Sequence, residues 1–182
     1  MMTKIKITDL KKQLKVLDQK ELINIIVDLY KVDKTAQEFL SVKFLGADAV
    51  QGLYKKAKKE LENEFFPNKG HGKLRLAVAK GAISQFEKLT KDQLKTIELM
   101  LYYVDNGTAF TKAYGDIDAT FYNSMASMYH KVITECEKSE DLFGMFDDWL
   151  YSIVEDSKGT GWGYHDVLAD LYNSLSWLEN EE

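Results

Sequence analysis

The chain has 182 residues, 45% hydrophobic and 29% charged, with a net charge of −5, which suits one globular domain and excludes disordered and collagen-like classes. A single cysteine, Cys136, excludes an internal disulfide and any Cys-x-x-Cys zinc or redox motif, and points to a reducing compartment, the cytoplasm. A single proline argues against a loop-rich β protein, and no apolar run approaches the roughly 18 residues of a membrane span, nor does Lys-rich Met1–Leu10 carry the apolar stretch of a signal peptide.

Leu10, Leu14 and Leu17, at spacings of four and three, predict a first helix. Asp18 and Glu21 form a capping-box pattern before a second helix whose apolar positions, Leu22 to Tyr30, occupy one wide face. Asp33 caps a third helix carrying Phe39, Leu40 and Phe44, which Gly46 stops. Asp48 opens a fourth, ended by Pro67 and the stretch Asn68–Gly72. A fifth runs from Leu74 to Leu89 with Val78, Ile83 and Phe86 inward. Thr90 and Gln93 read as another capping box, and a sixth helix carrying Leu94, Ile97, Leu101 and Val104 stops at Asn106-Gly107. A short helical turn covers Ala109 to Tyr114, broken by Gly115–Asp118. Phe121 to Cys136 form a seventh helix, and Asp141 starts an eighth. After the glycine loop Ser157–Gly163, with Trp162 expected to plug into the core, comes a last helix with Val167, Leu168, Leu171 and Leu175.

The fold expected is therefore all-α: eight or nine helices in one domain, 1–182, as stacked antiparallel pairs, with a short irregular superhelix as a variant. Two segments echo each other at an offset of 50. Asp, Ala, Tyr, Asn and Ser coincide between Asp116–Met125 and Asp166–Leu175, and Val104-Asp105-Asn106 matches Val154-Glu155-Asp156. This marks two helix–loop–helix units, 97–132 and 147–182, set against chance agreement between amphipathic helices.

Charge is divided unevenly. Residues 1–80 hold 17 basic and 10 acidic side chains, a net of +7, and residues 81–182 hold 7 and 19, a net of −12. Lys55, Lys56, Lys58, Lys59, Lys73 and Arg75 form the strongest basic cluster, a polyanion patch or a solvated helix surface. With Arg75 the only arginine, specific nucleic-acid readout is disfavoured.

The glycines of Gly159–Gly163 permit positive φ and close approach, and the helix N-terminus that follows suits an anion. The stretch is neither a Walker loop nor a dinucleotide fingerprint. His165-Asp166 resembles the His-Asp step of metal-dependent phosphohydrolases, but with 16 residues following it the distant Asp is missing. Asp116 and Asp118 lack the further oxygens of a calcium loop. No Glu-x-x-His pair or Gly-x-Ser-x-Gly elbow occurs. No metal, cofactor or catalytic set is assigned. A ligand site at these two loops would be lined by Tyr114, Asp116, Trp162, Tyr164, His165 and Asp166, with His165 as its acid or base.

The runs Leu99–Val104, Tyr114–Ile117 with Phe121–Ser124, and Gly161–Asp166, together with the Leu22–Tyr30 helix and Glu64–Pro67, resemble a family of bacterial multi-helical proteins catalogued as a domain of unknown function. That resemblance implies a bacterial, helical, intracellular protein and transfers no activity. The reading that follows is a non-enzymatic interaction domain whose partner is another protein and which spans no membrane. The alternatives are a ligand-binding or enzymatic site at the two loops and nonspecific nucleic-acid binding by the basic half.

Overall fold

The computed structural model describes residues 4–180. Among them are nine α-helices, a closing 3-10 turn, Ser176–Asn180, and no strand. The chain divides into two compact units, Met1–Val50 and Gln51–Glu182.

The first unit contains α1 (Ile7–Lys15), α2 (Gln19–Val32) and α3 (Lys34–Leu45). The capping box forms: Glu21 N–H donates to Asp18 at 2.8 Å and Asp18 N–H donates to Glu21 at 2.9 Å. Asp33 accepts from Ala36 N–H at 2.7 Å and starts α3. Gly46, at φ 64°, ends it. α2 packs on α3. None of α1, α2 and α3 contains a buried residue.

α4 (Ala47–Phe65) starts directly after Gly46, so Asp48 lies in its first turn and does not cap it. α5 (Leu76–Thr90), α6 (Gln93–Tyr114), α7 (Ala119–Cys136), α8 (Glu140–Asp156) and α9 (Tyr164–Asn173) complete the second unit. α6 packs on α5, α7 and α8, and α9 lies against α7 and α8. Leu101, Phe121, Leu150, Ile153 and Leu168 are buried in this core. Rings continue it from one helix to the next: Phe65 on Tyr103 (5.5 Å) and Phe121 (6.5 Å), then Phe121 on Tyr122 (5.5 Å) and Tyr122 on Tyr164 (5.0 Å). Buried hydroxyls are paired, Tyr103 with Ser124 at 2.9 Å and Tyr129 donating to Leu150 C=O at 3.1 Å, as burial of a polar group requires.

Several boundaries depart from the pattern. Asn106-Gly107 does not end α6, which runs on to Tyr114 and absorbs the expected short turn. Gly107 is a packing glycine: a Cβ there would lie 2.2 Å from Met125 Sδ. Asp92, not Thr90, caps α6, accepting from Lys95 N–H at 3.0 Å. Thr90 instead closes α5, donating to Phe86 C=O at 2.9 Å. Ser139, not Asp141, caps α8, accepting from Leu142 N–H at 3.3 Å. Val78, Leu94 and Val167, expected inward, are exposed.

The connection from α4 to α5 is held by a buried carboxylate. Glu64 accepts from Arg75 Nη2 at 2.6 Å, Nε at 3.1 Å and backbone N–H at 3.0 Å. The guanidinium holds the Glu64 carboxyl below the usual carboxylate range against the opposing effect of burial.

Candidate functional site

Two loops meet in the second unit. One is Gly115–Asp118, opened by Gly115 at φ 91° and closed by Asp118, which caps α7 by accepting from Phe121 N–H at 2.8 Å. The other runs from Ser157 to Gly163, with Gly159, Trp162 and Gly163 at φ 81°, 60° and 66°. Asp116 joins them. Its Oδ1 accepts from Tyr122 Oη at 2.5 Å and from Gly161 N–H at 2.9 Å. The close approach requires glycine, since a Cβ on residue 161 would lie 2.3 Å from Asp116 Oδ2. The Tyr122 hydroxyl first, then the Gly161 N–H, hold the Asp116 carboxyl below its ordinary range. Burial, with the hydrogen bond to Asp116 reinforcing it, pushes the Tyr122 phenol up to about 12.

Tyr164 belongs to the same network through its ring contact with Tyr122. It is fully buried, with its hydroxyl 2.9 Å from Thr108 Oγ1. His165 is anchored elsewhere. Ser157 Oγ donates to Val154 C=O at 2.6 Å, and His165 Nδ1 lies 2.9 Å from that Oγ and 3.1 Å from the same carbonyl. With the serine proton committed to the carbonyl, Nδ1 carries the imidazole proton and donates to both oxygens. His165 thus closes the C-terminus of α8. Trp162 is 64% exposed and does not plug the core: the left-handed backbone at 162 and 163 turns it outward, and Tyr164 fills the interior. Tyr114 is exposed and tilts against Phe110 at 4.7 Å. Asp166 is an exposed acid in the first turn of α9. Of the six expected lining residues, the network unites Asp116 and Tyr164.

Beside the clamp lies a cleft of about 370 Å³ lined by Thr111, Lys112, Gly115, Asp116, Lys158, Gly159 and Thr160. Lys112 also lines a second cleft of about 350 Å³ with Asp105, Ala109, Ala113 and Asp156. Lys112 pairs with Asp156 at 2.7 Å and Lys158 with Glu155 at 2.6 Å. Burial raises the Asp105 carboxyl, opposed by the Trp149 indole N–H at 3.3 Å and reinforced by the nearby Asp156 charge. Asp105, Lys112 and Asp156 were not expected here, although the Val104–Asn106 and Val154–Asp156 echo falls on two of them. The echoed segments do not share local roles: Asp116 clamps a loop before α7, whereas Asp166 sits inside α9. Tyr122 and Tyr172 do behave alike, each giving its hydroxyl to an aspartate at 2.5 Å, Asp116 and Asp147 respectively.

A larger cleft of about 650 Å³ is lined by the end of α5 and by α6 and α7, and includes Glu87, Lys91, His130 and Glu135. Its polar groups are partly spent on each other, as in Gln93 Nε2 donating to Glu135 at 3.1 Å. Among the described residues no group of three or more His, Cys, Asp or Glu side chains is arranged to hold a metal ion.

The basic cluster is only partly turned to solvent. Lys55, Lys59 and Lys73 are exposed, and Lys56 is half-buried. Lys58 Nζ sits 4.3 Å above the Tyr102 ring. Arg75 is committed to Glu64.

The strongest surface feature lies in the first unit. Ile26, Val27 and Tyr30 of α2 and Leu40, Ser41, Phe44 and Leu45 of α3 line an apolar groove of about 360 Å³. Phe44 is 74% exposed and Leu45 67%. The periodicity of Leu22 to Tyr30 marks this face as apolar but does not reveal that it is open.

A family model described as a family of unknown function, DUF6155, matches residues 4–175. No curated protein and no solved structure matches the chain.

Proposed function

The chain belongs to that family of unknown function, DUF6155, and from this premise we propose that it is a protein-interaction domain, not an enzyme, that docks its partner on the α2–α3 hairpin. The observation that carries the reading is α2 itself. Eight of its fourteen residues are large and apolar, and none is buried. At 3.6 residues per turn they cover roughly 220° of the helix, twice the width of a one-sided stripe, and a helix so apolar is ordinarily enclosed. An exposed apolar patch of this extent marks an interaction site in a globular protein. The lone, buried thiol of Cys136 supports a reducing, cytoplasmic setting, and none of the helices is long and apolar enough to cross a membrane among the described residues.

The test is site-specific photocrosslinking in cells, with a benzophenone side chain in place of Phe44, compared with one in place of Met145, which is 64% exposed on α8. A discrete adduct is expected from position 44 and none from 145. Equal or absent adducts at the two positions refute the reading.

A second reading has its own support in the Asp116 clamp, which brings both glycine loops to one cleft carrying Lys112 and Lys158. It assigns the cleft to a small anionic ligand. Titration with inorganic phosphate, followed through the amide resonances of Gly159 to Gly161, tests it; resonances that stay unmoved reject it.

A further inference from the structure

Resting on the second reading above, which places a small anion in the cleft beside the Asp116 clamp, we propose that the ligand is a dipolar molecule with an anionic group at one end and an ammonium group at the other. That cleft and the cleft of Asp105 and Asp156 adjoin through Lys112, which lines both. The first also carries Lys158, and the second carries the two carboxylates. All of these residues belong to the second unit.

The charges already present select the ligand. Asp105, Asp116, Glu155 and Asp156 stand against Lys112 and Lys158, an excess of two negative charges. The C-termini of α6, at Tyr114, and of α8, at Asp156, add the negative ends of two helix dipoles. A bare anion meets this excess, and it has to draw Lys112 away from Asp156, 2.7 Å distant, leaving that carboxylate without its cation. A bare cation has to draw Asp156 away from Lys112. A molecule with both signs inserts into the pair and gives each member a new partner, so no charge is left alone. Because Lys112 and Asp156 touch, the two ends of the ligand stand close together on a short spacer.

Asp105 is in place for the ammonium end. It is half-buried and accepts from the Trp149 indole N–H at 3.3 Å, a long bond to a neutral donor. Burial, with the charge of Asp156 behind it, raises its carboxyl, and a cation beside it offsets both effects. Asp105 and Lys112 are seven residues apart on one face of α6. The small side chains of Ala109 and Ala113 line the same cleft and leave room above it.

O-phosphoethanolamine, inorganic phosphate and ethanolamine are the probes. Binding to the full chain is followed through the amide resonances of Gly159 to Gly161 and the indole N–H resonance of Trp149. O-phosphoethanolamine should move both sets and bind about tenfold more tightly than inorganic phosphate, which should move the glycines alone. Asp105→Asn keeps an oxygen for Trp149 and removes the charge, so it should bring the two affinities together. Equal binding of phosphate and O-phosphoethanolamine to the wild type, with the indole silent, overturns the dipolar ligand and leaves the small anion standing. Ethanolamine binding as tightly as O-phosphoethanolamine overturns it too, because the anionic end then contributes nothing. Silence with all three probes removes both readings.

Discussion

Replacing Gly107 by alanine sets two effects of opposite sign against each other. Gly107 lies inside α6 and is buried. In a helix interior alanine is favoured over glycine by about 0.5–1 kcal/mol, so on local grounds the change stabilises. The packing opposes it. The new Cβ would stand 2.2 Å from Met125 Sδ, 3.1 Å from its Cγ and 3.2 Å from its Cε. Methionine is adaptable, but Met125 is 0% exposed, so its thioether cannot swing out into solvent and has to shift within the core. Overpacking of this kind costs about 1–3 kcal/mol. The balance is a net loss of about 1 kcal/mol, roughly fivefold in the folded-to-unfolded ratio. Met125→Ala alone opens a cavity and costs about 2–5 kcal/mol. The new methyl partly fills that space in the double variant, which should therefore be more stable than the two single losses imply, by about 1 kcal/mol or more. Urea unfolding followed by tryptophan fluorescence reads this directly, since Trp149, Trp162 and Trp177 all lie in the second unit. If Gly107→Ala matched or exceeded the wild type, or if the double variant were additive, the packing role of this glycine would be wrong.

Three further outcomes follow from the second unit. Asp116→Ala should release the glycine loop, raising amide exchange at Gly161 on the order of tenfold. Because the Asp116 carboxyl is held low in the folded chain, protection of Gly161 in the wild type should persist above the ordinary aspartate range near ~3.9 and fade as pH drops through the lowered value. Glu64→Gln should lower the melting temperature. With the folded pKa of Glu64 depressed by Arg75, its stabilisation is present above the unfolded value and lost on acidification, so the difference from wild type should shrink towards low pH; a constant offset would contradict the charge pairing. Cys136, whose thiol burial pushes up to about 11, should not react with a disulfide reagent at pH 8 in the folded chain and should react at once in urea.

The caps show where local pattern suffices. Asp18 and Asp33 each stand as the single good acceptor before an apolar run, and each takes the bond expected of it. Where two acceptors stand two residues apart, pattern does not choose. Thr90 and Asp92 compete for α6, Ser139 and Asp141 for α8, and Asp92 and Ser139 take the bonds. Asn106-Gly107 failed for a related reason. A glycine that ends a helix and one that admits a neighbour's side chain look the same in a single chain, and only Met125, eighteen positions on, tells them apart. The two glycine loops were legible as unusual, and they do meet. The group that joins them, Asp116, was legible as a site candidate, but its partner Tyr122 was marked only by the echo and by the Phe121–Ser124 run. His165, the most chemically suggestive side chain, turned out to serve a helix end, because a serine and a carbonyl eight and eleven positions earlier hold it there.

The deeper asymmetry concerns burial. Apolar periodicity states which side chains are better off out of water, and it reads identically in α2 and α7. In α7 the stripe is met by α6, α8 and α9, and Met125, Tyr129 and Val132 are sealed. In α2 the same kind of stripe packs on α3, and none of its residues is buried. Nothing within a helix distinguishes these cases, because the partner that closes a stripe is named by a different part of a chain, or by a different chain. The difference is visible only as a mismatch between the apolar content of α2 and the burial it obtains. That mismatch is a free-energy debt of roughly 25 cal/mol for each Å² left in water.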